Sequence, residues 1–206
     1  MKPTLDSLSL LQSISKEINE QTFHHHYHIL YDIANTYPVD YVLNYVEIGC
    51  YAGGSACLMI QRPNTNVISI DLGTPIDTTI VKNNVNKVNK HDNFYNYLEG
   101  NSHNLIILTK LTEIISEIDI LFIDGDHSFN GVLYDFETYS KMVKRGGYII
   151  FDDYNDHKFS PQVKPAVDMI IPKLSDTYKI IGTFENSLGA RPVELLDGNC
   201  YIIQKL

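Results

Sequence analysis

Short apolar runs alternate with segments of helical period along almost the whole chain, and this alternation restricts the fold more than any single residue does. Runs at 41–48, 66–71, 93–98, 118–123 and 147–152 read as strands, with helices between them at 54–61, 77–90, 103–116 and 129–144. In the last of these helices Val132, Phe136, Tyr139 and Val143 share one face. Two further helices are expected at 5–20 and 22–36, the first with Leu8, Leu11, Ile14 and Ile18 on a single stripe. Strands alternating with helices demand crossover connections, hence an α/β fold with a mostly parallel sheet and helices on both faces. After residue 152 the rhythm changes to a helix near 161–174 and two strands at 178–184 and 199–205, joined by a polar loop with Gly189 and Pro192. That closing pair implies an antiparallel edge. No repeat, low-complexity tract or linker interrupts the chain, so residues 1–206 are expected to form one domain, with 1–38 as N-terminal helices able to serve as a lid.

The bulk properties narrow the function classes. A net charge of −9 argues against nucleic acid or an anionic membrane as the main partner, because both demand a basic surface. Cys50, Cys57 and Cys200 form neither a CxxC pair nor a disulfide framework, which points to a reducing compartment, the cytoplasm. The N-terminus shows no charged and then apolar leader pattern, and no apolar run approaches the roughly 20 residues needed to span a bilayer.

The segment Val46-Glu47-Ile48-Gly49-Cys50-Tyr51-Ala52-Gly53-Gly54-Ser55 sits where the first buried strand hands over to a helix. In an open α/β sheet, ligands bind outside the carboxyl ends of the strands. Glycines there allow close backbone approach and positive φ, and free N–H groups at the helix start can receive an anionic ligand group. The spacing is GxxxGG and not the GxGxxG of nicotinamide sites. The next strand ends in Asp71, well placed to accept hydrogen bonds from a ribose diol; the bland alternative is a turn whose glycines serve packing alone.

Two later strands end in carboxylates: Ile120-Leu121-Phe122-Ile123-Asp124-Gly125-Asp126-His127, and Gly147-Tyr148-Ile149-Ile150-Phe151-Asp152-Asp153. Both ends belong on one edge of a parallel sheet, so Asp124, Asp152 and Asp153 can converge. Clustered carboxylates repel unless a hard cation such as Mg²⁺ neutralises them. The competing reading is that Asp152 and Asp153 cap a turn. Neighbours on a regular strand face opposite sides, so convergence of both requires the chain to leave strand geometry there. His127 stands where a general base could reach a metal-bound hydroxyl, or else caps a loop.

Together these segments, over about residues 40–170, resemble the class I S-adenosylmethionine (SAM)-dependent methyltransferases of the catechol-O-methyltransferase-like and macrocin-O-methyltransferase-like group. The resemblance implies a Rossmann-like seven-stranded sheet with an antiparallel last strand. It implies that Glu47, Gly49, Tyr51, Gly53 and Ser55 form the first SAM motif, that Asp71 binds the ribose, and that Ser102 of Gly100-Asn101-Ser102 lies beside the adenine. Asp124, Asp152 and Asp153 match the metal-ligand pattern, with Asp124 also at the cofactor and in catalysis. His127 falls where catechol-type enzymes place a lysine base, a departure from the family pattern. The implied reaction is transfer of a methyl group to a hydroxyl of a small molecule, a sugar or a phenol, and a homodimer would be in keeping with the family. The tract His24-His25-His26-Tyr27-His28 reads as a solvated helix or a lid near the cofactor, since consecutive helix positions point different ways. The loop 155–160 is expected to close over the substrate with the N-terminal helices. The rival readings are an NAD(P)-dependent oxidoreductase and a non-catalytic SAM-binding scaffold protein.

Overall fold

The computed structural model describes residues 5–18, 25–174, 176–183 and 200–206. Among these residues seven strands form one sheet: β1 (Leu43–Ile48), β2 (Thr65–Asp71), β3 (Tyr95–Glu99), β4 (Ile118–Ile123), β5 (Val143–Phe151), β6 (Tyr178–Thr183) and β7 (Tyr201–Lys205). Their order is β3-β2-β1-β4-β5-β7-β6. The first five are parallel to one another, and β7 runs antiparallel to both β5 and β6. The antiparallel strand therefore lies one place in from the margin, with β6 outside it. Its composition explains the placement: Ile202 and Ile203 are buried on opposite faces, as an internal strand requires, whereas Lys179 and Ile180 of β6 are exposed.

Helices α1 (Leu5–Glu17), α2 (His28–Ala34), α3 (Gly54–Met59) and α4 (Thr78–Val88) cover one face, and α5 (Leu105–Ile114), α6 (Phe129–Tyr139) and α7 (Val163–Ile170) the other. The two-residue period of a strand distributes β1 between these layers. Val46 and Ile48 join the α5–α7 core, while Leu43 and Tyr45 join the α1–α4 core. No helix among the described residues is long and apolar enough to cross a membrane.

Two boundaries differ from the sequence expectation. The helix expected over 129–144 ends at Tyr139, and Val143 instead opens β5 opposite Ile118. Val143 is buried in either arrangement, so its spacing alone could not separate them. The segment expected as a helix over 22–36 is a 3₁₀ turn, His25–Tyr27, followed by α2. Gly189, Pro192 and His24 lie outside the described residues.

Strand register sets the site. Ile48 is level with Ile70 and with Ile123, and Ile123 is level with Phe151. The residues that follow, Gly49, Asp71, Asp124 and Asp152, therefore leave one edge of the sheet in a row.

Candidate functional site

The turn after β1 is held by steric necessity. Gly49 has φ +83°, and a Cβ there would lie 2.0 Å from the Asp124 carbonyl oxygen. No side chain fits between these two backbones. Gly53, at φ +85°, is the N-cap of α3, and a Cβ on it would press against Val81. The Asp71 carboxylate pins the turn from the next strand: Oδ2 accepts from the Cys50 N–H at 2.8 Å and the Tyr51 N–H at 3.2 Å. Its Oδ1 accepts from the Gly73 N–H at 2.8 Å and the Tyr97 hydroxyl at 3.3 Å.

This turn forms one wall of a cavity of about 690 Å³, within the size range of small-molecule sites. Gly49, Tyr51, Asp71, Ser102, Asp124 and His127 all line it. Glu47, Gly53 and Ser55 stand behind the wall. Glu47 shares a strand face with Tyr45, so it points into the α1–α4 layer and is fully buried. There it accepts hydrogen bonds from the hydroxyls of Ser55 (2.5 Å), Ser69 (2.6 Å) and Tyr45 (2.8 Å). Burial pushes its carboxyl up and the three donors pull it down, leaving it at about 7. The loop that carries Ser102 is bolted to α6, whose Tyr139 hydroxyl donates to the Ser102 carbonyl and whose Tyr134 hydroxyl donates to that of His103. His103, absent from the sequence reading, also lines the cavity.

At the ends of β4 and β5, charge takes over from sterics. Asp124, His127 and Asp153 each offer one ligand atom, all within 4.8 Å of one another. His127 Nε2 is 3.2 Å from Asp124 Oδ1, and its Nδ1 is 3.6 Å from Asp153 Oδ2. Asp153 has φ +55°, so the chain leaves strand geometry there and turns this carboxylate toward His127. Asp152 stays on the face of Ile150, where its Oδ1 meets His26 Nε2 at 2.5 Å. The two adjacent aspartates thus serve different neighbours. The turn that supplies His26 also supplies Tyr27, whose hydroxyl donates to Asp124 Oδ2 at 3.3 Å. Of the two expectations for this tract, a solvated helix or a lid near the cofactor, the first fails: His26 and His28 are buried where the segment packs over the sheet edge, and Tyr27 lines the cavity.

The electrostatics follow from crowding. Burial, then the charge of Asp152, holds the Asp124 carboxyl well above the usual carboxylate range, with the His127 hydrogen bond opposing. Burial alone would lower the His127 imidazole, but Asp124, Asp153 and Asp152 outweigh it and raise the group to about 9. His26 is raised in the same way: burial acts downward, and the charge and hydrogen bond of Asp152 prevail. A cluster of carboxylates that raises its neighbouring histidines against the effect of burial is chemically suited to a cation. Sequence reasoning missed Ser160, whose hydroxyl lies between His127 and Asp153; it stands at no telling interval from any motif.

Comparison with known proteins agrees with this geometry. A family model described as a methyltransferase domain matches residues 46–154. An uncharacterized protein of Acanthamoeba polyphaga mimivirus is 40% identical over 184 residues, covering 85% of this chain and 83% of that protein. The O-methyltransferase from Bacillus cereus in complex with SAH superposes with a TM-score of 0.64 at 17% identity, covering 98% of this chain and 92% of that one. MycE methyltransferase from the mycinamycin biosynthetic pathway, in complex with Mg, SAH and mycinamycin VI, gives a TM-score of 0.63 at 16% identity. That match covers 95% of this chain and 54% of MycE. At such identities the two structures speak for the fold.

Proposed function

The chain belongs to the methyltransferase-domain family of SAM-dependent enzymes, and on that premise we propose that it methylates a hydroxyl of a small molecule with the help of a divalent cation. The observation that carries this reading is the double position of Asp124, which lines the cofactor-sized cavity and belongs to the Asp124–His127–Asp153 cluster. Methyl donor and acceptor oxygen would meet at that shared residue.

The residues fit both groups. Asp71, Asp124, Asp126 and Asp153 line the cavity, an environment that favours the positive sulfonium of SAM. Asp71 would accept from the ribose hydroxyls, Ser102 would lie by the adenine, and the exposed backbone beside Gly49 would admit the amino-acid end. Asp124 and Asp153, whose ligand atoms lie within 4.8 Å of one another, would hold a divalent ion, which, when bound, would supply Lewis acidity toward the acceptor hydroxyl. Methyl transfer itself is an in-line displacement. The acceptor oxygen forms a bond to the methyl carbon, the carbon–sulfur bond breaks, and the electron pair stays on sulfur. A bound cation would offset the carboxylate charge that raises His127, and we assign the hydroxyl proton to the imidazole so released. Alignment and water exclusion are the protein's share of the catalysis. A small acceptor such as a phenol or a sugar hydroxyl is compatible with the cavity.

A second reading has its own observation. Because His127 Nε2 is close to Asp124, His127 can be a third metal donor, which would favour Mn²⁺ or Zn²⁺ over Mg²⁺. The His127→Ala variant separates the two roles. A base leaves metal affinity intact and reduces the rate roughly 10²-fold or more, whereas a ligand takes the metal with it. The broader proposal is tested by exhaustive chelation: EDTA should stop methyl transfer to a phenol and sugar panel while calorimetry still detects SAM. Undiminished transfer after chelation would remove the cation from the mechanism, and binding of NADH in place of SAM would favour an oxidoreductase.

A further inference from the structure

The turn His25–Tyr27 meets the sheet edge with two consecutive side chains. His26 Nε2 lies 2.5 Å from Asp152 Oδ1 at the end of β5, and the Tyr27 hydroxyl donates to Asp124 Oδ2 at 3.3 Å at the end of β4. The first contact fixes where the turn sits, so the second belongs to a side chain already held in place. Packing holds it further. Tyr27 is buried, and its ring stands edge-on to Phe122, two residues before Asp124, with centroids 5.8 Å apart. It is also edge-on to the His26 ring at 5.4 Å, and it lines the same cavity as Asp124.

An aspartate carboxyl turns easily about its last torsion, which has broad and shallow preferences. Its orientation is therefore set by what its oxygens touch. Asp124 has one neighbour on each: His127 Nε2 is 3.2 Å from Oδ1, and the Tyr27 hydroxyl is on Oδ2. One contact would leave a pivot, whereas contacts on both oxygens define the plane. Tyr27 is the donor of its pair, because burial and then the charge of Asp124 push the phenol well above its ordinary value and keep its proton on. A carboxyl group retains an acceptor oxygen whether charged or neutral, so the contact does not depend on how Asp124 titrates. Partners that orient a ligating or reacting carboxylate commonly matter to its function nearly as much as the group itself.

We propose that Tyr27 is a positioning residue whose hydroxyl holds the plane of the Asp124 carboxyl where the cavity and the Asp124–Asp153 cluster meet. The contact stands on geometry, while its consequence for rate rests on the methyl-transfer reading. The N-terminal segment thereby contributes a side chain to the reacting centre as well as cover. It does so from 97 positions away in the chain, through a hydroxyl whose removal leaves the ring packing intact.

The test compares the full chain with Tyr27→Phe, which keeps the ring against Phe122 and deletes only the hydroxyl, and with Tyr27→Leu, which deletes both. Calorimetry with Mn²⁺ alone should show affinity reduced about 10-fold in Tyr27→Phe, with Tm close to native. In turnover the same variant should lose about 10- to 100-fold in kcat with the KM for SAM little changed. Tyr27→Leu should show the same two losses and a lower Tm besides. Native Mn²⁺ affinity and native kcat in Tyr27→Phe would overturn the inference. Losses confined to Tyr27→Leu would overturn it too, since the ring alone would then matter. If the native chain transfers methyl groups without binding Mn²⁺, the change in kcat decides for or against Tyr27, and the cation leaves the proposed function. Mn²⁺ affinity that depends on the hydroxyl in a chain that transfers no methyl group would uphold the positioning of Asp124 and count against the methyl-transfer reading instead.

Discussion

Where the chain leaves β1, Gly49 lies against the backbone of Asp124 and Asp71 secures the turn through amides; where it leaves β4 and β5, Asp124, His127 and Asp153 are held by opposing charges. The two regions are neighbours on one sheet edge and share Asp124. The first is a shape, complete before any ligand arrives, because its hydrogen bonds are already made within the protein. The second is a charge distribution in which Asp124 and His127 are shifted from their ordinary titration ranges by burial and by neighbouring charges. Substitutions in the first should act through sterics and folding, and those in the second through chemistry at constant fold.

The largest effect that this contrast predicts is at Gly49. A methyl group in Gly49→Ala has no room beside the Asp124 carbonyl and also meets an unfavourable φ, so about 4 kcal/mol or more of stability should be lost. Thermal unfolding would show it, and a variant with native Tm would mean that the turn yields. Next comes Asp124→Asn, expected to keep the fold and SAM binding while methyl transfer falls roughly 10³-fold, the scale of losing one preorganised electrostatic group. Loss of fold in this variant would erase the distinction between the two regions.

Asp71→Ala sharpens the comparison from the cofactor side. Removing this charged acceptor should weaken SAM by about 1–3 kcal/mol, read by calorimetry. Unchanged affinity would leave Asp71 as a brace for the Cys50–Tyr51 amides alone. The smallest effect concerns pH. Glu47 is raised from 4.5 to about 7 in the folded chain, so the fold holds a proton that the unfolded chain releases first. Stability from this group is therefore fully present below about 4.5 and declines as pH rises through about 7. Glu47→Gln should flatten that decline in Tm between these limits, and an unaltered slope would place the titration elsewhere.

Much of this was legible in the chain itself. Burial imposes a period of two on strands and of 3.6 on helices, which is why the strand–helix alternation could be read locally. Gly49 and Asp71 stood out because special backbone geometry and charge at strand ends leave marks in composition. Glu47 and Ser55, read as cofactor contacts, instead bond to each other behind the cavity, a consequence of which face of β1 is turned to α3. His26 was visible only as part of a histidine tract, and Ser160 only as the last residue of a loop expected to cover the substrate.

By itself, the sequence determined the layered α/β architecture, the antiparallel last strand and the collection of acids at the strand ends, since each follows from local periodicity and chain direction. Tertiary structure alone decided how those acids divide. Asp152 goes to His26, 126 positions away in the chain, while the left-handed backbone at Asp153 turns the next carboxylate to His127 and Ser160. Such pairings depend on separations in space that only the closed fold creates, and at distances near 3 Å a difference of one residue in register sends a charge to the other face of the sheet.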